Sequence, residues 1–369
     1  MLAARAVRRS DLRRALVRTV HVVVPDGIDD PARPSGGNRY DRRTCDGLRA
    51  LGWDVRELAA AGPWPRPDPA ALSRLARTVG AAPDGALVVV DGLIASAAAA
   101  VLVPEAGRVR LVVLVHMPLG GVAVAAEAEG AVLAAARAVV TTSAWTRDGL
   151  LDRHRLPPDR VQVARPGVDP DDEAPGTPGG GRLLCVGAVA PHKGHDLLLE
   201  ALRGVVELSW SCTVVGALDV DPPFVEQFRR TADGSGLADR IRLTGPRRGE
   251  ELRREYRAAD LLVLPSRLES YGMVLTEALA AGVPVLASDV GGVREAVGRT
   301  GAGIPGLLVP AGDPVALGGA LRRWLCDAGL RARLRRAARE RRRSLEGWDA
   351  TARRVAAVLT AAGDGAGRS

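Results

Sequence analysis

The chain contains a single lysine, Lys193, among its 51 basic residues, in the segment CVGAVAPHKGHD. An ammonium group is a compact point charge with three donors, which suits a phosphate approached end-on. A guanidinium instead favours planar, two-pronged contacts. Since arginine carries the positive charge everywhere else, we expect Lys193 to lie where a phosphate binds.

Two carboxylates and two glycine turns follow later in the chain. Glu269 and Glu277 are eight residues apart in PSRLESYGMVLTEAL, and Gly272 between them precedes a helix predicted to start near Met273. Gly272 allows a ligand close to the backbone, and the free amides of a helix start attract an anion. The spacing of the two glutamates lets one carboxylate face the loop while the other accepts hydrogen bonds from vicinal hydroxyls such as those of a ribose. The segment SDVGGVRE, residues 288–295, has the same strand, Gly-Gly turn and helix start.

Apolar runs that alternate with helical patterns predict a parallel α/β sheet in each half of the chain. The strands expected in the first half are Thr19–Pro25, Ala86–Val90, Leu111–Val115 and Ala138–Thr141, with helices at Tyr40–Leu51 and Glu127–Arg137. Those expected in the second half are Leu183–Val186, Ser211–Val215, Ile241–Leu243, Leu261–Pro265, Val283–Ala287 and Leu307–Val309, with helices near His195–Leu202, Pro223–Thr231, Glu250–Ala258 and Met273–Ala281.

The organisation predicted from these elements is two doubly wound domains. They cover residues 19–170 and 182–347, and the Pro- and Gly-rich residues 171–181 form a linker. A basic extension, residues 1–18, precedes them. Residues 348–369 are predicted to form a helix that crosses back to the first domain, followed by a short tail. Ligands of such sheets bind beyond the carboxyl ends of the strands, which is where Lys193 and both glutamates fall.

The segment ESYGMVLTEALAAGVPVLASDVGGVRE resembles the donor-site signature of the retaining glycosyltransferases of family 4. The resemblance extends through VTTSAWTRDGLLDRHRLPPDRVQVARPGVD, VGAVAPHKG and Trp348, and so covers nearly all of residues 19–360. It implies the GT-B fold, in which two Rossmann-like domains face each other across a cleft. It also implies transfer of a hexose from a nucleotide diphosphate sugar, of the UDP-glucose or GDP-mannose type, to a small-molecule or lipid acceptor.

The resemblance assigns roles to individual residues. Lys193 neutralises the diphosphate, Glu269 lies beside the donor sugar, and Glu277 binds the ribose. His116 lines the sugar and acceptor pocket, so the implied catalytic set is Lys193, Glu269 and His116. The other implied donor positions are Gly36 and Gly37, in a loop that closes over the donor, with Gly187, Ser270, Tyr271, Gly272, Met273 and Val274. Acceptor-side positions are Asn38, Tyr40 and Asp91. The reaction on one face of the sugar needs no protein nucleophile, cofactor or metal.

One position departs from the family pattern. The family commonly has an arginine directly after the Val-Gly of the lysine-bearing segment, where this chain has Ala188. Either Arg247, Arg248 or Arg267 supplies a second cation, or Lys193 and the helix amides act alone. The alternatives left open are a nucleotide-sugar epimerase or phosphorylase of the same fold, and a non-catalytic nucleotide-sugar-binding partner.

Composition and charge weigh against several other classes. The four cysteines show no Cys-x-x-Cys spacing, so neither a disulfide framework nor a zinc site is predicted. The apolar runs are too short to span a bilayer, and a cytoplasmic protein is expected. The formal charge of +8 is concentrated in residues 1–18 and 331–354 rather than along one face. Nucleic acid is therefore not an expected partner, whereas residues 1–18 offer a peripheral contact with an acidic membrane surface.

Several residues imitate other sites. His192 and His195 flank Lys193 at a spacing that suggests a metal, but no further ligands lie near them in the sequence, so a loop and a helix start are predicted. Asp219 and Asp221 precede two prolines and predict a turn. His21, inside an apolar strand, is predicted to be a core residue. The segment after the first strand lacks Gly-x-Gly-x-x-Gly, which disfavours an NAD enzyme.

Overall fold

A computed structural model describes residues 18–31, 34–119 and 123–364. Residues 1–17 of the basic extension and 365–369 of the tail lie outside the described residues, so the predictions made for them are not addressed. The described chain forms two six-stranded sheets with helices around them, and every strand pair within the sheets is parallel. The predicted class, two doubly wound α/β sheets, is confirmed.

The first sheet has the strand order β2-β1-β3-β4-β5-β6. Its strands are β1 Thr19–Pro25, β2 Asp54–Ala60, β3 Leu87–Asp91, β4 Arg110–Val115, β5 Ala138–Thr141 and β6 Val161–Val163. Its helices are Gly36–Ala50, Pro69–Gly80, Gly92–Ala95, Ala99–Glu105, Ala123–Ala135 and Ala144–His154. The central strands are buried on both faces and therefore read as continuous apolar runs.

The second sheet has the order β12-β11-β10-β7-β8-β9. Its strands are β7 Arg182–Val186, β8 Ser211–Val215, β9 Ile241–Leu243, β10 Leu261–Leu264, β11 Val285–Ser288 and β12 Gly306–Val309. Its helices are His195–Arg203, Pro222–Gly234, Gly249–Ala258, Met273–Ala280, Val293–Val297, Pro314–Cys326 and Ala328–Arg342. The chain adds strands on one side of β7 and then on the other, so a switch point lies between β7 and β10. Ligands of open α/β sheets commonly bind at such a switch point, beyond the carboxyl ends of the strands.

The last helix, Trp348–Asp364, packs against the first sheet although it follows the second in the chain. Val355 and Leu359 on this helix are completely buried in a cluster that includes Val20 and Val22 of β1. Burial of each aliphatic side chain contributes about 1.5–3 kcal/mol. The helix therefore ties the end of the chain to the first domain.

Residues 171–181, predicted as a linker, contain no helix or strand but are fixed to the second domain. The backbone amide of Thr177 donates to the buried carboxylate of Asp260, and its hydroxyl donates to the same group at 2.6 Å. Arg335 pairs with Asp260 at 2.8 Å. These contacts anchor the segment to the second sheet.

None of the helices in the described residues is both long and apolar enough to cross a membrane. The apolar stretches of the sequence are divided instead among short helices and buried strands.

Candidate active site

The segments that follow β7 and β10 meet at the carboxyl edge of the second sheet because these strands are neighbours. Lys193 ends a 3-10 turn after β7, and its Nζ lies 2.8 Å from Oε2 of Glu269, which follows β10. The two side chains are 24% and 12% exposed, so this is a mostly buried ion pair that still reaches the surface. An ammonium and a carboxylate so placed can bind the phosphate and hydroxyl groups of one ligand.

Two helix N-termini face each other beside this pair. Gly272 has a φ of 92° and precedes the helix Met273–Ala280, and a β-carbon on Gly272 would lie 2.8 Å from Cδ1 of Leu275. The helix Gly36–Ala50 of the first domain begins opposite, where a β-carbon on Gly36 would lie 3.5 Å from Sδ of Met273. Helix N-termini carry partial positive charge and free amides, so this point attracts an anion from both domains.

This geometry corrects one sequence-based expectation. Gly36 and Gly37 form the first turn of a helix capped by Ser35, whose Oγ accepts from the Asn38 amide at 3.0 Å. They were predicted to be a loop that ends before Tyr40. The Ser35 cap explains the earlier start, since serine is a preferred residue at that position.

Glu277 is the fifth residue of the helix Met273–Ala280, and its side chain is 12% exposed. Its Oε2 accepts a hydrogen bond from the hydroxyl of the buried Tyr256 at 2.6 Å. Its Oε1 pairs with the guanidinium of Arg39, which reaches across from the first domain. Arg39 also lies 3.1 Å from Asp169. Both oxygens of the predicted ribose-binding carboxylate are thus engaged by protein groups.

His116 follows β4 and is held by two buried carboxylates. Its Nε2 lies 2.7 Å from Oδ1 of Asp41 and 3.1 Å from Oδ2 of Asp91. The Tyr40 ring contacts the imidazole edge at a centroid distance of 5.0 Å, and a β-carbon on Gly37 would lie 3.3 Å from its Cδ2. Nδ1 has no hydrogen-bond partner among the described residues. The ring is therefore fixed from one side.

The two carboxylates determine the charge of this imidazole. Burial by itself lowers the pKa of His116, but the charges and hydrogen bonds of Asp41 and Asp91 outweigh it and raise the pKa to about 10. Burial, with the like charge of Asp91, raises the pKa of Asp41 to about 7. The two carboxylates therefore favour the imidazolium, whose Nε2 donates hydrogen bonds to them.

These three side chains also form the one group in the described residues with the spacing of a metal site. Their donor atoms lie within 4.8 Å of one another. The 2.7 Å between Nε2 and Asp41, however, is a hydrogen-bond distance. We therefore interpret the group as a hydrogen-bonded triad.

The Gly291–Gly292 turn lies directly on the backbone of the Glu269 segment. A β-carbon on Gly291 would lie 1.8 Å from the carbonyl oxygen of Glu269, which also accepts from the Gly292 amide at 3.1 Å. Glu295, at the end of the same segment, accepts hydrogen bonds from the amides of Ala144 and Trp145 at 3.0 and 2.8 Å. This turn thus supports Glu269 and connects the two domains.

Comparison with known families covers almost the whole chain in two adjoining parts. Residues 10–172 match the family described as Glycosyltransferase Family 4, and residues 172–341 match Glycosyl transferases group 1. The chain belongs to the family 4 glycosyltransferases. Its two parallel sheets have the GT-B fold, as predicted.

Two curated relatives of this chain are both named as D-inositol 3-phosphate glycosyltransferases. The D-inositol 3-phosphate glycosyltransferase of Frankia alni is 36% identical over 247 residues, which cover 62% of this chain and 59% of that protein. The D-inositol 3-phosphate glycosyltransferase 1 of Catenulispora acidiphila is 33% identical over 258 residues, covering 64% of this chain and 60% of that protein. The matched part of the chain thus spans about 60% of the length of these two relatives.

Solved structures share the fold over nearly the full length. Sucrose-phosphate synthase from Thermosynechococcus elongatus has a TM-score of 0.77 at 22% identity, covering 93% of this chain and 98% of that one. Anabaena HepE in complex with UDP-glucose has a TM-score of 0.74 at 16% identity, covering 93% of this chain and 99% of that one.

Several positions implied by the family resemblance lie close to Lys193, Glu269 or Glu277. Gly187 lies beside Lys193, since its β-carbon would be 3.7 Å from Cδ of the lysine. Ser270, Met273 and Val274 are half-buried next to Glu269 and Glu277. Asn38 is half-buried in the first turn of the helix Gly36–Ala50. Met273 packs against the cores of both domains.

Three of the predicted positions have buried side chains with partners or packing of their own. Tyr40 is 1% exposed and donates its hydroxyl to the Ala164 carbonyl at 2.9 Å. Tyr271 is 5% exposed in the core of the second domain, and burial raises its pKa to about 12. Asp91 is 4% exposed, contacts His116 and accepts a hydrogen bond from the Leu93 amide.

The remaining sequence candidates are accounted for by local contacts. His195 is fully buried, and burial lowers its pKa to about 4. Asp221 caps the helix Pro222–Gly234 by accepting from the Phe224 amide at 3.0 Å, which confirms the predicted turn. His21 is buried in β1, as predicted.

Sequence reasoning missed Arg39, Asp41 and Tyr256. A helix start at Gly36 was the signal for the first two, because Asp41 follows Gly37 by four residues and so lies on the same helix face. Tyr256 carries no local signal, since only the packing of two helices brings it to Glu277.

Proposed function

We propose that this chain is a retaining glycosyltransferase. It moves a hexose from a UDP- or GDP-sugar to a hydroxyl of a small-molecule or lipid acceptor. The observation that carries the proposal is the Lys193–Glu269 pair beside Gly272, where the helix that carries Glu277 begins close to the start of the helix Gly36–Ala50. The ammonium and the helix starts supply positive charge for a diphosphate, and the carboxylates supply acceptors for hydroxyls.

The donor orientation that we propose is the one that the family resemblance implies. Glu277, which accepts a hydrogen bond from Tyr256, binds the ribose hydroxyls in this orientation. Lys193 and Glu269, which pair at the carboxyl edge, then lie beside the departing phosphate and the sugar. The complex of Anabaena HepE with UDP-glucose, a protein of the same fold, supports a nucleotide diphosphate sugar as the ligand class.

The chemistry rests on stabilising charge that develops on the leaving diphosphate. The bond between the anomeric carbon and the phosphate oxygen breaks, and the acceptor oxygen attacks on the same face. The departing phosphate oxygen takes the acceptor proton. Lys193 and the helix amides bind the growing negative charge. His116, whose Nε2 contacts Asp41 and Asp91, lines the sugar pocket in this proposal, and the proposed reaction uses no cofactor or metal.

The test begins with a thermal-shift panel of UDP- and GDP-sugars, because a ligand that binds the folded state raises the melting temperature. The best donor is then incubated with candidate acceptors, and NMR reads the anomer of the product. Lys193→Ala and Glu277→Ala should each lose most of the turnover while folding normally. Arg230→Ala, a 71% exposed control on the outer helix Pro222–Gly234, should keep it.

Three results would contradict the proposal. Inversion at the anomeric carbon would overturn the retaining assignment. Wild-type rates in both site variants would overturn the site. Donor binding without turnover on any acceptor would favour the non-catalytic partner that Ala188 suggested.

A further inference from the structure

Arg39 is the point where the first domain enters the predicted donor site. It lies in the first turn of the helix Gly36–Ala50, and its guanidinium pairs with Glu277 of the second domain. Its other contact is Asp169 at 3.1 Å, and Asp169 also pairs with Arg43. The Arg39 side chain is 34% exposed, so it lies at the surface of the cleft and not in either core.

The site therefore contains two cation–carboxylate pairs of the same kind. Lys193 pairs with Glu269, and Arg39 pairs with Glu277. A nucleotide diphosphate sugar carries two negative charges and, on either side of them, the hydroxyls of a ribose and of a sugar. Such a ligand matches both pairs at once. Its phosphates can take the place of the carboxylates beside Lys193 and Arg39, and its hydroxyls can take the place of these cations beside Glu269 and Glu277.

The other cations considered for this role are committed elsewhere. Arg267 makes a two-pronged contact with Asp196, at 2.7 Å to each oxygen, and also donates to the Pro191 carbonyl. Arg248 donates to the Asp29 carbonyl at 3.3 Å, and Arg247 lies 3.3 Å from Glu251 of the helix Gly249–Ala258, which follows it in the chain. A guanidinium held in a planar two-pronged pair is costly to move, so Arg267 is the least suited of the three to bind a diphosphate.

We propose that Arg39 is the second diphosphate-binding cation and takes the place of the arginine absent at Ala188. When the donor binds, the guanidinium leaves Glu277 to the ribose and contacts a phosphate oxygen, while Asp169 remains beside it. The inference rests on the proposed function and deepens it. The donor site is then complete only when both domains contribute, since Arg39 belongs to the first and Lys193 to the second.

The test compares two ligands that differ only in the diphosphate. Calorimetry gives the affinities of UDP and uridine, or of GDP and guanosine if GDP stabilises the wild type better. In Arg39→Ala the diphosphate should bind about 10- to 100-fold more weakly, because a charge-assisted contact is lost. The nucleoside should bind more tightly, because the ribose no longer competes with Arg39 for Glu277. Arg39→Lys keeps the charge and should keep diphosphate affinity within about tenfold of the wild type.

Arg43→Ala is the matched control. Arg43 lies on the next turn of the same helix and shares Asp169, but does not pair with Glu277. It should leave the ratio of the two affinities unchanged.

The outcomes separate the explanations. Tighter binding of both ligands to Arg39→Ala would show that Arg39 only blocks the site, and equal weakening of both would show a structural role; either overturns the inference. Unchanged affinities overturn it as well. If neither UDP nor GDP binds the wild type, the proposed function itself fails. A circular dichroism melt of each variant confirms that it is folded.

Discussion

Replacing Lys193 with alanine should do more than remove one cation from the donor site. Nζ of Lys193 lies 2.8 Å from Oε2 of Glu269, and the glutamate side chain is only 12% exposed. Without the ammonium, Glu269 loses its ion-pair partner beside the proposed diphosphate position. The variant therefore loses an attraction, and the repulsion between Glu269 and a diphosphate is no longer offset.

The size of both effects follows from simple electrostatics. Two like charges about 6 Å apart at an effective dielectric constant of about 20 repel by roughly 3 kcal/mol, or about a hundredfold in affinity. This repulsion is also present in the wild type, so it does not add to the loss in Lys193→Ala. The lost charge-assisted contact costs about 1.5–3 kcal/mol, or about tenfold to a hundredfold. We therefore expect Lys193→Ala to weaken UDP or GDP binding by about tenfold to a hundredfold. Lys193→Ala combined with Glu269→Gln should recover roughly a hundredfold, because glutamine removes the repulsion and keeps a hydroxyl acceptor.

Calorimetry on the wild type, the single variant and the double variant measures this recovery, with thermal shift for affinities weaker than millimolar. A double variant that binds no better than Lys193→Ala would show that Glu269 does not face the diphosphate, and the reasoning would be wrong. A loss below about tenfold in Lys193→Ala would remove the lysine from the phosphate site. Lys193→Arg should not restore affinity, because a two-pronged guanidinium is held by Glu269 more firmly than an ammonium.

Three further predictions concern groups around the same cleft. Tyr256→Phe removes a 2.6 Å hydrogen bond to Glu277 and should weaken nucleoside binding by about 1.5–3 kcal/mol in calorimetry; unchanged affinity would mean that Tyr256 does not hold the carboxylate in place. Gly291→Ala, with a β-carbon 1.8 Å from the Glu269 carbonyl oxygen, should abolish donor-induced thermal stabilisation, whereas Gly236→Ala, in open space at a similarly positive φ, should retain it. His116 should remain protonated at pH 8 in an NMR titration, since its pKa is raised to about 10. The stability it contributes is complete below the unfolded value of about 6.5 and is lost as the pH rises through about 10; a titration near 6.5 would refute the triad.

The central strands of both sheets were predictable because a strand buried on both faces produces a short continuous apolar run in the sequence. Strand β2 was missed for the same physical reason. It lies at the edge of the first sheet, is only half-buried, and carries Arg56 and Glu57 in its middle. Strand β6 has three residues and is too short to produce a pattern.

The residues predicted for the donor side could be named from the sequence because their signals are local. Lys193, Glu269 and Gly272 each lie within eight residues of a buried strand end, so their position at the sheet edge follows from the chain alone. The glycine turns were informative for the same reason, since Gly272 needs a positive φ wherever the rest of the chain lies.

What the sequence determined by itself was the fold class, and with it the sheet edge at which Lys193, Glu269 and the glycine turns lie. Tertiary structure alone decided which groups those residues meet. Arg39 reaches Glu277 from 238 residues away in the chain, and Asp41 and Asp91 hold His116 from two other elements. Pairings of this kind depend on how strands are ordered and how the two domains face each other. A one-dimensional pattern records which residues are polar but not which carboxylate each cation will neutralise.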